Sequence, residues 1–380
     1  MNQTSYIGND GWDAIAQFLD DQDVRSVLLV TGRSSYTSSG AEAGLGGVLK
    51  GKRVRRVSDF DTNPKGKDIR RILSSVLNDE PYDIIIAVGG GSVLDVAKLL
   101  KAFWSSENPV IGNLYHEEPL VPDDIPLIAI PSTAGSGSEA THFAVVYEGK
   151  KKFSIAHEAI LPNFSVIIPS LLASLPRSVA AASGMDALCQ AIESYWSIFS
   201  TEESQKIAAE AISLAWKSLE KAVLSRAPHA LEEMAKASHL AGKAINITKT
   251  TAPHAVSYAL TSFYGLQHGH AVGLLVPEFL KYNAAVTEDD CLDHRGKGWV
   301  QEQLMDISHR LGCPNIESAS DALKSKLRAI GLGTSLDVIG VKSNEDIDRL
   351  VENGFNPQRV NNNPRRLTEA ELRKLLRNLM

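Results

Sequence analysis

Two imidazoles close the ends of one short stretch of this chain, which reads Thr250-Thr251-Ala252-Pro253-His254 and runs on to Gln267-His268-Gly269-His270. Upstream, the helix-like run Gly184-Met185-Asp186-Ala187-Leu188-Cys189-Gln190-Ala191-Ile192-Glu193 adds a carboxylate, Asp186. One carboxylate and two imidazoles suit a borderline divalent cation such as iron(II) or zinc, which accepts mixed oxygen and nitrogen ligands and can keep a position open for substrate. A different chemistry is suggested by Gly89-Gly90-Gly91-Ser92, which follows the apolar run 84–88 and precedes a helical segment carrying Asp95, Ala97 and Lys98. Strand, glycine turn and helix N-terminus together make an anion site, because unpaired amides and the helix dipole face the ligand and glycine lets it come close. Three consecutive glycines and a serine exceed what a plain turn needs. Their spacing is neither the dinucleotide fingerprint nor the P-loop. A second loop of small residues, Pro131-Ser132-Thr133-Ala134-Gly135-Ser136-Gly137-Ser138-Glu139, follows another apolar strand, where open α/β sheets bind ligands.

Positioning such groups takes a scaffold, and 380 residues exceed what one hydrophobic core usually organises. Short β-branched runs at 26–31, 53–58, 83–88 and 126–130 alternate with helical spacing at 66–77 and 92–103, which predicts βαβ units and a mainly parallel sheet. Two further short strands are expected at 143–147 and 152–156. Beyond Pro176 the pattern turns to long helices at 178–196, 204–224, 230–246 and 256–260. The reading is therefore an α/β nucleotide-binding domain over 1–173 and an all-α domain over 174–380.

Apolar residues at 43% and charged residues at 22% are those of a folded globular chain. A net charge of −6 without a basic stripe argues against nucleic acid as a partner. Three widely spaced cysteines, Cys189, Cys291 and Cys313, suit a reducing compartment. With neither a membrane-length apolar run nor a signal-like N-terminus, the expectation is a cytoplasmic protein acting on a small molecule.

The glycine loop with Asp95, Ala97 and Lys98, the 131–139 loop, Gly184-Met185-Asp186-Ala187-Leu188, His254, His268-Gly269 and Asn363-Pro364-Arg365 resemble, in order, the iron-containing (group III) alcohol dehydrogenases. Within that family, the words at 247–254 and 187–196 look most like the phosphonoacetaldehyde reductases of phosphonate biosynthesis. The resemblance implies an N-terminal nucleotide-binding α/β domain of dehydroquinate synthase type, a helical C-terminal domain, a divalent metal (Fe2+ or Zn2+) in the cleft between them, and a homodimer. It places the metal ligands on Asp186, Gln190, His254 and His268. Position 190 departs from the family, which commonly has His there, and an amide carbonyl is a weaker ligand. The implied reaction is reduction of a small aldehyde by hydride from NAD(P)H, with a Lewis-acid metal at the carbonyl oxygen.

Several assignments follow from the resemblance. The proton reaches the alkoxide from water, Tyr258 or His270; Tyr258 stands where many relatives carry a second His. The cofactor contacts are Gly32, Arg33, Ser34, Gly89, Gly90, Gly91, Ser92, Asp95, Ser132, Thr133 and Ser136. Gly32 replaces an aspartate common in NAD-preferring relatives, and with Arg33 and Ser34 it could accept a 2′-phosphate, so NADPH is expected with NADH tolerated. Lys249, Thr250 and Thr251 are the candidates for an anionic substrate tail. Sulfoacetaldehyde and simple alcohols stay open as substrates, as do a lyase of dehydroquinate synthase type and a nonenzymatic nucleotide-binding protein.

Overall fold

In the computed structural model, which describes residues 3–104, 125–149 and 151–380, the chain divides into two compact units, Met1–Leu175 and Pro176–Met380. Among the described residues the first holds eight strands: β1 (Thr4–Ile7), β2 (Ser26–Thr31), β3 (Arg53–Val57), β4 (Ile84–Gly89), β5 (Leu127–Pro131), β6 (Phe143–Glu148), β7 (Lys151–Ala156) and β8 (Phe164–Ile167). Six of them form one parallel sheet in the order β1-β8-β5-β4-β2-β3, and β6 and β7 pair antiparallel as a separate ribbon.

Every residue of β2, β4, β5 and β8 is buried, as expected for strands covered on both faces. The two-residue period then sorts each strand between two cores. Leu28, Val30, Ile85, Ala87, Leu127 and Ala129 pack with Ile69, Leu73 and Leu94 on one face. Val27, Leu29, Ile84, Ile86, Ile128 and Ile130 pack with Ile15, Leu19 and Leu45 on the other. Sequence patterning had shown four of the sheet strands but not β1 or β8. Both are four residues long, β1 is largely exposed, and Ser165 interrupts the apolar run of β8.

The second unit is helical, as its patterning predicts. The Arg177–Trp196 helix is buried from Gly184 to Trp196 without a break, the mark of a central helix. Around it pack Glu202–Leu224, Pro228–Thr248 and His268–Ala284. The Ala252–Tyr264 helix ends at Gly265, whose left-handed φ of 68° closes it three residues before His268 opens the next.

Candidate active site

The central helix of the second unit sets the first three side chains. Asp186, Gln190 and Glu193 lie four and then three residues apart, so they share one face. All three are buried. His254 comes from the first turn of the Ala252–Tyr264 helix and His268 from the first residue of the His268–Ala284 helix. Gly269 permits that last approach: a Cβ there would lie 1.9 Å from the Ala182 carbonyl oxygen, so only glycine lets the two backbones cross this closely.

Asp186, His254 and His268 bring one potential ligand atom each to within 4.8 Å of one another. His254 Nε2 lies 3.3 Å from Asp186 Oδ1 and His268 Nε2 lies 3.8 Å from it. Gln190 Nε2 donates to Asp186 Oδ2 at 3.2 Å, and its carbonyl oxygen accepts no hydrogen bond. Asp186 Oδ1, Gln190 Oε1 and His254 Nε2 are all buried without a hydrogen-bond partner. Each such orphan costs roughly 1–3 kcal/mol when nothing compensates it. Three polar atoms left without a partner beside the Nε2 of His268 are what a cation needs, so the residues present fit a divalent metal, Gln190 included.

A second layer orients the ligands. Glu193 Oε1 is the hydrogen-bond partner of His254 Nδ1, which directs Nε2 toward Asp186. Glu193 Oε2 accepts from the Thr251 amide and hydroxyl, both at 2.8 Å, and Trp196 Nε1 donates to that hydroxyl at 2.9 Å. Ser257 gives its proton to the His254 carbonyl at 2.7 Å, so its oxygen is the acceptor for His268 Nδ1 at 3.4 Å. Burial would lower the proton affinity of His254, but Glu193 and Asp186 outweigh it and push the imidazole up to about 10. Burial would raise the Asp186 carboxyl, yet the imidazoles and Gln190 hold it below its usual range.

The other sequence-derived candidates in this unit separate. Tyr258 stacks on His268, rings 5.5 Å apart and 8° from parallel. His270 does not join the cluster: its Nε2 donates to the Gly333 carbonyl at 2.8 Å, and burial lowers its proton affinity. Thr251 is inside the network, Thr250 is tied through its carbonyl to Asn362 Nδ2 at 3.0 Å, and Lys249 is exposed. Lys249 sits at φ 59°, ψ 174°, a region almost reserved for glycine, so the surrounding structure holds it there against strain.

In the first unit, Gly89 at the end of β4 pairs with Pro131 at the end of β5, and the Ser132 amide donates to the Gly89 carbonyl at 2.9 Å. This sets the two small-residue loops against each other. A Cβ on Gly90 would meet Thr133 at 3.2 Å, and one on Gly91 would meet Ser136 at 2.9 Å. Gly90 caps the Gly91–Ala102 helix without any side-chain bond, so no side chain of the cap satisfies the first amides. Ser92 accepts from the Asn63 amide at 3.2 Å.

Asp95 is turned inward. Its oxygens accept from Ser138 Oγ at 2.9 Å and the Val145 amide at 3.2 Å, so it braces the second loop. Lys98, fully buried, donates to Ser138, Thr141 and the Phe143 carbonyl. At the end of β2, Arg56 binds Thr31 Oγ1 and the carbonyls of Gly32 and Arg33, while Arg33 pairs with Asp59 at 2.5 Å. Ser34 caps the next short helix without a side-chain bond.

Two family models match this chain: the iron-containing alcohol dehydrogenase model over residues 2–169 and the C-terminal model of the Fe-containing alcohol dehydrogenase family over 180–380. The chain belongs to the iron-containing alcohol dehydrogenase family. It is an oxidoreductase of that family. Among its relatives, a phosphonoacetaldehyde reductase of Streptomyces viridochromogenes is 36% identical over 84% of this chain and 81% of its own. A 1,3-propanediol dehydrogenase of Klebsiella pneumoniae is 32% identical over 83% and 81%. The crystal structure of sulfoacetaldehyde reductase from Bifidobacterium kashiwanohense in complex with NAD+ superposes with a TM-score of 0.89, at 29% identity, over 100% of this chain and 97% of that one.

Sequence reading passed over Glu193, Arg56 and Asp59. For Glu193 a signal existed, a carboxylate seven residues after Asp186 on the same helical face. The other two make contacts across loops that no local pattern connects.

Proposed function

We propose that this protein reduces phosphonoacetaldehyde to 2-hydroxyethylphosphonate with hydride from NADPH, accepting NADH less well. The observation that carries the reductive chemistry is the set of buried polar atoms without a partner on Asp186, Gln190 and His254 beside His268. These four residues would hold iron(II) or zinc, which when bound supplies Lewis acidity to the carbonyl oxygen. The choice of aldehyde is supported by the relatives that act on two-carbon aldehydes with a tetrahedral anionic tail.

The chain's own groups divide the remaining work. Glu193 and Ser257 orient the two imidazoles. Tyr258, against His268, is the proton donor proposed for the nascent alkoxide; His270 is spent on Gly333. The amides of Gly91 and Ser92, with Thr133 and Ser136, take the cofactor phosphates, and Gly32, Arg33 and Ser34 border its ribose. Lys249, Thr250 and Thr251 form one wall toward the substrate tail.

The test is NADPH and NADH oxidation by metal-loaded protein with phosphonoacetaldehyde, sulfoacetaldehyde and acetaldehyde. The expected result is a kcat/KM for phosphonoacetaldehyde about a hundredfold above that for acetaldehyde, the size of one or two charge-assisted hydrogen bonds. Equal efficiency on all three would make this a general short-chain alcohol dehydrogenase.

A further inference from the structure

We infer that Arg359, laid on Tyr258 beside the metal-ligand cluster, recognises the anionic tail of the substrate; the inference rests on the reading above and names the group that would make it specific. Arg359 lies in the short Pro357–Val360 helix, which packs on Ala252–Tyr264. Its guanidinium carbon is 5.3 Å from the centroid of Tyr258, whose ring stacks in turn on His268. A cation is thereby held one aromatic ring away from a metal ligand.

What sets Arg359 apart is its lack of a counter-charge. The other half-buried arginines of this unit are ion-paired: Arg295 with Asp293, Arg310 with Asp306, Arg365 with Asp290 and Arg373 with Asp348. Arg359 is half-buried and, among the described residues, has no ion pair with a carboxylate; its charge faces the Tyr258 ring. A cation–π contact compensates only part of the desolvation of a guanidinium, which leaves its hydrogen-bonding fork to an outside acceptor.

The position is fixed from behind. Asn362, three residues on, donates to the Thr250 carbonyl at 3.0 Å and accepts from the Ile198 amide at 3.2 Å. Asn363 exchanges two hydrogen bonds with Asn283, at 3.2 and 2.7 Å. The loop after Arg359 is therefore stapled to the segment carrying Lys249, whose ammonium is likewise without a carboxylate among the described residues. In a two-carbon aldehyde the tail is separated from the carbonyl by a single methylene, so a cation that reads it must sit beside the ligand cluster. Arg359 does. The shared chemistry is a tetrahedral oxyanion, phosphonate or sulfonate, gripped by two guanidinium N–H groups.

The experiment compares metal-loaded wild type, Arg359→Leu, Arg359→Gln and Arg359→Lys. It reads the kcat/KM ratio of phosphonoacetaldehyde to acetaldehyde and the competitive inhibition constants of ethylphosphonate and ethylsulfonate. Removing the guanidinium should lower the ratio about tenfold to a hundredfold, mostly through KM, and weaken inhibition by the anions by a similar factor. Arg359→Lys should recover part of both. Melting temperatures identify any variant that fails to fold, and the Gln and Lys variants then decide by the same ratio. If wild type shows no preference for the charged aldehyde, the substrate reading fails, yet the inhibitors still judge Arg359. Anion inhibition weakened in the variants upholds the subsite, and inhibition absent in wild type or equal in all four proteins overturns it. The tighter of the two inhibitors distinguishes phosphonate from sulfonate.

Discussion

The glycine loop of the first unit and the ligand cluster of the second are built of different material. Around Gly90 and Gly91 the loop presents backbone amides and small hydroxyls, and the charged groups nearby turn inward: Asp95 braces Ser138 and Val145, and Lys98 is buried among acceptors. Around Asp186 the backbone recedes and side chains from three helices converge, leaving polar atoms without a partner. A site of amides is set by shape and fails gradually, because no single side chain makes it. A site of converging side chains has a few irreplaceable members, and each removal is felt in full.

The largest expected effect tests the second half of that contrast. Asp186→Ala removes the carboxylate that both imidazoles face, and should lower kcat/KM roughly a thousandfold or more while abolishing stoichiometric metal binding. Cofactor affinity, measured by fluorescence titration, should change little. A variant that keeps its metal and turns over normally would remove Asp186 from the site.

The inward-turned charge of the first unit should show itself in stability. Burial drives the Lys98 ammonium down to about 8 from 10.5, against the pull of Asp95 and Glu139. Below that lower value the folded and unfolded chains both hold the proton, and the full desolvation cost is present. Between about 8 and 10.5 the folded chain releases a proton that the unfolded chain keeps, so unfolding takes up protons and stability rises with pH through this window. The gain is of order 3 kcal/mol for the first unit. Urea unfolding of wild type and Lys98→Met across that range should show a slope in the former that the latter lacks. Parallel pH profiles would mean that Lys98 stays charged in the fold.

How much of this was legible follows the same division of material. Gly89-Gly90-Gly91-Ser92 could be read because a backbone site is contiguous: strand, turn and helix follow one another in the chain. Long apolar runs such as 84–88 and the Ala/Leu-rich stretches after Pro176 declared their elements because they satisfy one period over many residues. β8 did not, since its Ser165 is spent on a distant partner, the Glu139 carbonyl, at 2.6 Å. The metal set was legible as residue types, but the approach of His268 to Asp186 depends on a helix crossing at Gly269 that no local pattern reports. Arg33 looked like a solvent or phosphate group, whereas its partner, Asp59, comes from beyond the next strand. The stack of Arg359 on Tyr258 is of the same kind, a contact made by tertiary packing alone.

An intermediate effect falls on Glu193. Its two oxygens serve His254 Nδ1 on one side and the Thr251 donors on the other, so both must be acceptors. In Glu193→Gln one side meets an amide N–H, and either His254 loses its orientation or Thr251 loses its bond. Metal affinity, titrated against a competing chelator, should fall about tenfold to a hundredfold, with Trp196 fluorescence reporting the disturbed Thr251 link. Unaltered affinity would reduce Glu193 to a packing role.

The smallest effect sharpens the comparison from the first unit, where a side chain can be added to a site made of backbone. Gly32 has an ordinary φ, and a Cβ there would come 2.1 Å from Ser35 Oγ, a clash that a hydroxyl rotation relieves. Gly32→Asp is thus compatible with the fold, whose turn remains held by Arg56 through two carbonyls. The new carboxylate would repel a 2′-phosphate and accept from a 2′-hydroxyl, shifting the kcat/KM ratio about fivefold to tenfold toward NADH. Asp59→Asn should move it a few-fold the other way, because the exposed Arg33–Asp59 pair is worth little in itself but occupies the guanidinium that a 2′-phosphate would need. Opposite shifts in the two variants would place the 2′-phosphate at this turn. If neither variant moves the ratio, the discriminating contact lies elsewhere, and Arg33 is a surface residue whose partner is Asp59 alone.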